Sequence, residues 1–138
     1  MTTSVQNPRG FSAAVLAVLL SMASPAWAHS NEHLATMSGT HGGMLRMAEM
    51  YHFELVVKDG EAHVWVTDHG DVPQSTKGAV ATLRVINGSE AFSVSLQPSG
   101  RNELVAKNAR LKSRKGTKLV LTVSMDGEAP LKTRYAMD

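Results

Sequence analysis

Tyr51-His52-Phe53-Glu54-Leu55-Val56-Val57, then Lys58-Asp59-Gly60-Glu61, then Ala62-His63-Val64-Trp65-Val66-Thr67 is the stretch that decides the fold. Its first part alternates, so Tyr51, Phe53, Leu55 and Val57 share one face of a strand. Asp59-Gly60 supplies the positive φ values of a tight hairpin. Ala62, Val64 and Val66 continue the same apolar face on the returning strand. A two-residue turn also sets the register: Val57 opposite Ala62, Val56 opposite His63, Glu54 opposite Trp65 and His52 opposite Thr67. His52, Glu54, His63 and Trp65 then occupy the face opposite the apolar one.

The pattern repeats downstream. Residues 79–86 alternate and end at Asn87-Gly88; residues 91–97 turn Phe92, Val94 and Leu96 inward and end at Pro98-Ser99-Gly100. Residues 103–106 form a short strand, residues 118–125 place Leu119, Leu121, Val123 and Met125 inward before Asp126-Gly127, and residues 131–137 close the chain. About seven short strands with regular turn signals predict an all-β fold, an immunoglobulin-like antiparallel β-sandwich, with a small β-barrel as the alternative. The one stretch with helical spacing is 44–50.

At 138 residues the chain holds one domain. It has no cysteine, which excludes disulfide scaffolds, thiolate zinc sites and cysteine nucleophiles. A net charge of +2 and 5% aromatic residues argue against a nucleic-acid partner. Arg9, the apolar run 11–23 and Ala26-Trp27-Ala28 read as a signal peptide over residues 1–28, so the expectation is an exported, periplasmic protein without stable membrane insertion. Residues 29–40 read as a polar, mobile lead-in, and residues 41–138 as the β domain.

The halves differ in charge. Residues 29–75 carry all six histidines, with seven acidic and two basic residues; residues 76–138 carry five acidic and eleven basic ones. The basic cluster Lys107, Arg110, Lys112, Arg114, Lys115, Lys118 reads first as a solvated loop that protects strand edges, and second as a contact for an anionic partner.

Three pieces of this chain resemble a small domain of heavy-metal resistance systems: His41-Gly42-Gly43, then Tyr51-His52-Phe53-Glu54-Leu55-Val56, then Val64-Trp65-Val66-Thr67-Asp68-His69-Gly70 with Pro73. That domain occurs in periplasmic adaptor (membrane-fusion) proteins of metal-exporting RND pumps and as free-standing exported proteins. The resemblance spans His41 to Met137, without the adaptors' coiled-coil hairpin or lipoyl halves. It implies metal binding in the periplasm, components of an RND-type efflux system as partners, and His41 as a site residue.

The residues add their own chemistry. Met44, Met47 and Met50 recur every three residues and His52 follows. Thioether sulfur selects Cu(I) or Ag(I), while imidazole also suits Zn(II) and Cu(II). The candidate metal ligands are therefore His41, Met44, Met47, Met50 and His52. In a helical turn the three methionines share a face; in a strand Met47 points away from the other two, and the alternative for each is core filling. His52 and His63 stand about four residues apart, roughly 13 Å, too far for one ion. His63 and Glu54 are diagonal neighbours within reach of a shared ion, and His52 beside Trp65 would set a bound cation against the indole. Asp68, His69 and Asp71 around Gly70 read as an Asx-type turn. If cleavage follows Ala28, His29 presents an amine and imidazole for Cu(II), the basis of a minor reading as a copper oxidoreductase.

No nucleophile elbow, phosphate-binding glycine loop or HExxH run occurs, so the reading is non-enzymatic. The expected function is a metal buffer, sensor or chaperone; the alternative is a β-sandwich interaction module that contacts an efflux adaptor without tight metal binding.

Overall fold

The computed structural model describes residues 2–3 and 31–138. One helical turn, α1 (Asn31–Leu34), precedes eight strands: β1 (Met44–Ala48), β2 (Tyr51–Lys58), β3 (Glu61–Asp68), β4 (Val80–Asn87), β5 (Glu90–Ser99), β6 (Glu103–Lys107), β7 (Lys118–Ser124) and β8 (Leu131–Ala136). All neighbours pair antiparallel, in the order β1-β2-β3-β6-β5-β4-β7-β8. The all-β expectation holds. The strands make one sheet rather than the two separate sheets of a sandwich, an arrangement compatible with the small-barrel alternative.

β5 is the corner of that sheet. Its first part, through Leu96, pairs with β4, and its last residues, Gln97 to Ser99, pair with β6. A strand that changes partner along its length turns the sheet back on itself. The rolling brings edge strands β1 and β8 together. Arg46 Nε donates to Arg134 O at 3.0 Å, and its guanidinium lies 5.4 Å over the Tyr135 ring. Tyr135 is 3% exposed and its hydroxyl donates to Phe53 O at 3.1 Å, tying β8 to β2 through the interior. Burial keeps that phenol neutral by raising its pKa far above the ordinary range, against smaller opposing effects from the Thr133 hydrogen bond and the Arg46 charge.

The β2–β3 register matches the hairpin reading pair for pair: Val57 with Ala62, Val56 with His63, Glu54 with Trp65 and His52 with Thr67. In the turn Gly60 takes φ 85° but Asp59 does not take a positive φ, so only one of the two expected positive values is present. Phe53, Leu55, Val64, Val66, Leu83, Val85, Val94, Leu96, Leu119, Leu121 and Val123 fill the core as expected. Phe92 is the exception, half-buried beneath Arg110.

One stretch corrects the sequence reading. Residues 44–48 form β1 rather than a helical turn, because Met44 and Ala48 pack against the core from the edge of the sheet. Glu49, at φ 51°, then turns the chain into β2. Within residues 31–40, Leu34 is 2% exposed while most of the other residues are exposed. The leader at 1–28 and His29 fall outside the described residues, apart from residues 2–3. Among the described residues no helix is long and apolar enough to cross a membrane.

Candidate functional site

Alternation on β2 puts His52 and Glu54 on the face away from the core, where solvent would be expected. Yet His52 is 4% and Glu54 5% exposed. For Glu54 the chain that leads into β1 accounts for much of this. Asn31 fastens one end of it: its side chain donates to Met47 O at 3.2 Å and accepts from Met47 N at 2.8 Å, filling the open hydrogen-bonding edge of β1. Glu54 fastens the other end. Its Oε1 accepts from His41 N at 2.7 Å and Gly43 N at 2.9 Å, and its Oε2 lies 2.9 Å from His41 Nδ1. A carboxylate this deep costs several kcal/mol unless donors surround it, and three do.

The glycines follow from this contact. A Cβ on Gly39 would collide with the Glu54 carboxyl group, and one on Gly43 would come within 2.8 Å of both Glu54 Cγ and Leu55 O. In the structure His41-Gly42-Gly43 is a strap that brings the backbone against a buried carboxylate.

His41 also stacks on Trp65, ring centroids 3.8 Å apart and nearly parallel. His63 lies 5.6 Å from the same indole. Its Nδ1 is 2.6 Å from Glu103 Oε1 and its Nε2 is 3.0 Å from Glu61 Oε2. Burial draws the His63 pKa down, but the hydrogen bonds and charges of Glu103 and Glu61 outweigh it and the net shift is upward. Glu61 is held below the usual carboxylate range, chiefly by its hydrogen bond to His63. So His63 and Glu54 share no ion: each is engaged by other partners.

A second group lies further along the same face. Met47 stands directly across the β1–β2 ladder from His52. The His52 ring stacks on His69 at 5.0 Å, and its Nδ1 is 3.7 Å from Asp71 Oδ1. His69 Nε2 donates to Glu49 O at 2.9 Å. The Asx-type turn is present, Asp68 Oδ1 accepting from Gly70 N and Val72 N at 2.8 and 3.0 Å. Met50, 72% exposed, borders a surface hollow of about 330 Å³ with His69.

The five candidate ligands are thus divided. Met44 pairs with Leu55 and packs on the core, on the opposite face from Met47 and His52. Met47 and His52 are brought together. Met50 sits in the adjoining turn beside His69, and His41 belongs to the Glu54–Trp65 contact. The expected neighbour of His52, Trp65, is replaced by His69. His69 had been read only as part of a turn. Its signal was in the register, since Thr67 faces His52 and alternation carries His69 to the same side.

A cleft of about 470 Å³ lies beside the His41–Glu54–Trp65 contact, bordered by Met37, His41, Leu45, Trp65, Asn102 and, from the second group, Asp71. Among the described residues no set of three or more His, Asp or Glu side chains is arranged to hold a metal ion. Compared with models of known protein families, with curated proteins and with solved structures, the chain has no match.

Proposed function

We propose that this is an exported, non-catalytic metal-binding protein of heavy-metal homeostasis, which takes up Cu(I) or Ag(I) by reversible ligand exchange. The observation that carries the reading is Met47 facing His52 across the β1–β2 ladder, with His69 stacked behind that imidazole. Directly opposed strand residues have Cβ atoms about 5 Å apart, close enough for a thioether and an imidazole to share one ion. A sulfur and nitrogen donor set of this kind favours a soft monovalent ion over Zn(II) or Cu(II), which remain the alternative cargo. Met47, His52 and His69 would hold the ion, and Met50 would join from the exposed turn. Asp71, at the rim of the cleft, would offset the positive charge.

Export rests on the Arg9, 11–23 and Ala26-Trp27-Ala28 pattern, and the partnership with an RND-type efflux system rests on the resemblance carried by His41–Pro73. A second reading, an interaction module without tight metal binding, draws on the way Glu54 holds His41 Nδ1 and Trp65 stacks on its ring.

Anaerobic competition titration with Cu(I) separates the two. The first reading expects Met47→Leu to weaken Cu(I) binding at least about tenfold with Zn(II) affinity unchanged, and Met44→Leu to change neither. Equal Cu(I) affinity in wild type and Met47→Leu would favour the interaction module.

A further inference from the structure

The connection between β6 and β7 is built differently from an ordinary surface loop. Lys107, Arg110, Lys112, Arg114, Lys115 and Lys118 fall within residues 107–118, and no acidic residue occurs from Leu104 to Met125. All six cations are exposed. Leu111, 0% exposed, anchors the loop from beneath. Its backbone is pinned at several points: Gly60 N donates to Leu111 O at 2.9 Å, Asn108 N to Gly60 O at 2.9 Å, and Gly116 N to Met137 O at 2.7 Å. Ser113 N donates to Asp59 Oδ1 at 3.3 Å. The backbone that presents the charges is thus already ordered, so little conformational entropy is lost there when they meet a partner.

The opposing charges at this end are few and partly engaged. Asp59 holds Ser113, and Glu61 pairs with His63 and Lys107. Glu90 borders a small hollow of about 70 Å³ with Arg110, Lys112 and Arg114, and Asp138 follows Met137. Lys58, in the turn bonded to the loop, adds a seventh cation.

We propose that this end of the sheet is a docking surface for anionic phospholipid headgroups. Attraction to a charged bilayer adds up charge by charge and needs no fixed spacing, which suits side chains splayed from one rigid loop. Each Lys or Arg brought to such a surface raises affinity about fivefold. Nucleic acid fits less well, because bases bind by stacking and the aromatic ring here, Phe92, is covered by Arg110 at 4.1 Å. The proposal is independent of metal binding.

Co-sedimentation of the full chain with vesicles tests it. One arm uses phosphatidylcholine alone and the other phosphatidylcholine with phosphatidylglycerol, both at low salt. Any contribution of the apolar run 11–23 appears in both arms. The loop variant is Lys112→Gln/Arg114→Gln/Lys115→Gln; the control, with the same change in net charge, is Lys77→Gln/Arg84→Gln/Arg101→Gln at exposed positions elsewhere. The expected result is tighter binding to the anionic vesicles than to phosphatidylcholine alone, the excess weakened at least about tenfold in the loop variant, less than about threefold in the control, and largely lost in several hundred millimolar salt. Equal losses in the two variants, salt-insensitive binding, or capture by an RNA homopolymer with anionic vesicles left unbound would overturn the proposal.

Discussion

The two faces of the β2–β3 hairpin are built from the same alternation, and both are covered. On the inner face Phe53, Leu55, Val64 and Val66 are buried by packing from the rest of the sheet. On the outer face His52 and Glu54 are as deeply buried, Glu54 beneath the strap that ends in His41 and Gly43 and His52 against His69 and Asp71. Apolar burial is non-directional, and many neighbours share it. Polar burial is conditional on particular donors, and losing one leaves a charge or dipole stranded. The inner face is therefore the source of fold stability, and the outer face is where a change of partner is physically accessible.

That contrast can be broken at either end. Leu55→Ala or Leu83→Ala opens a cavity in the core and should cost about 2–5 kcal/mol in urea unfolding. Glu54→Gln should cost about 1–3 kcal/mol, because an amide cannot accept on both sides of the cradle. It should also release His41 from Trp65, visible as a change in indole fluorescence. A Glu54→Gln loss as large as that of Leu55→Ala, with unchanged fluorescence, would mean the strap is part of the core rather than a separable cover. Gly43→Ala should destabilise by about 1–3 kcal/mol and disturb the same indole signal, since its added methyl meets the backbone of Leu55.

The smallest effect sharpens the comparison through pH. The folded His63 holds its proton more tightly than the unfolded one, through Glu103 and Glu61. Its contribution is fully present below the unfolded value near about pH 6.5 and is lost as pH rises through the higher folded value. Wild type should therefore exceed His63→Gln in stability at about pH 6 by about 1 kcal/mol or less, converging with it in more alkaline solution. A difference that grows with pH would contradict the imidazolium bridge.

Sequence periodicity made the inner face legible down to register, because Asp59-Gly60 leaves little freedom in how β2 meets β3. The outer face was legible only in composition. Its residues were placed on the right side, but their partners were not, since His41, Asn31 and Glu103 arrive from other elements whose approach leaves no periodic trace. The strap was hidden for a related reason. Asn31 and Ser38 meet the edge of β1, and His41 and Gly43 meet the Glu54 carboxylate, but polarity alone reads as a free tail. Met44–Met50 misled through its three-residue spacing, which imitates a helix although the segment is an edge strand ending in a turn. Sheet closure was equally invisible, as it depends on β5 changing partner at Gln97 and on Arg46 reaching Arg134.

The central claim is that a soft ion is held by Met47 with His52 and His69, and X-ray absorption at the copper edge addresses it most directly. The protein would be loaded anaerobically with one equivalent of Cu(I), alongside Met47→Leu and Met44→Leu. The account predicts sulfur together with imidazole nitrogen around copper in wild type and in Met44→Leu, and loss of a sulfur scatterer in Met47→Leu. A copper environment of nitrogen and oxygen alone, or one that is identical in Met47→Leu, would contradict it.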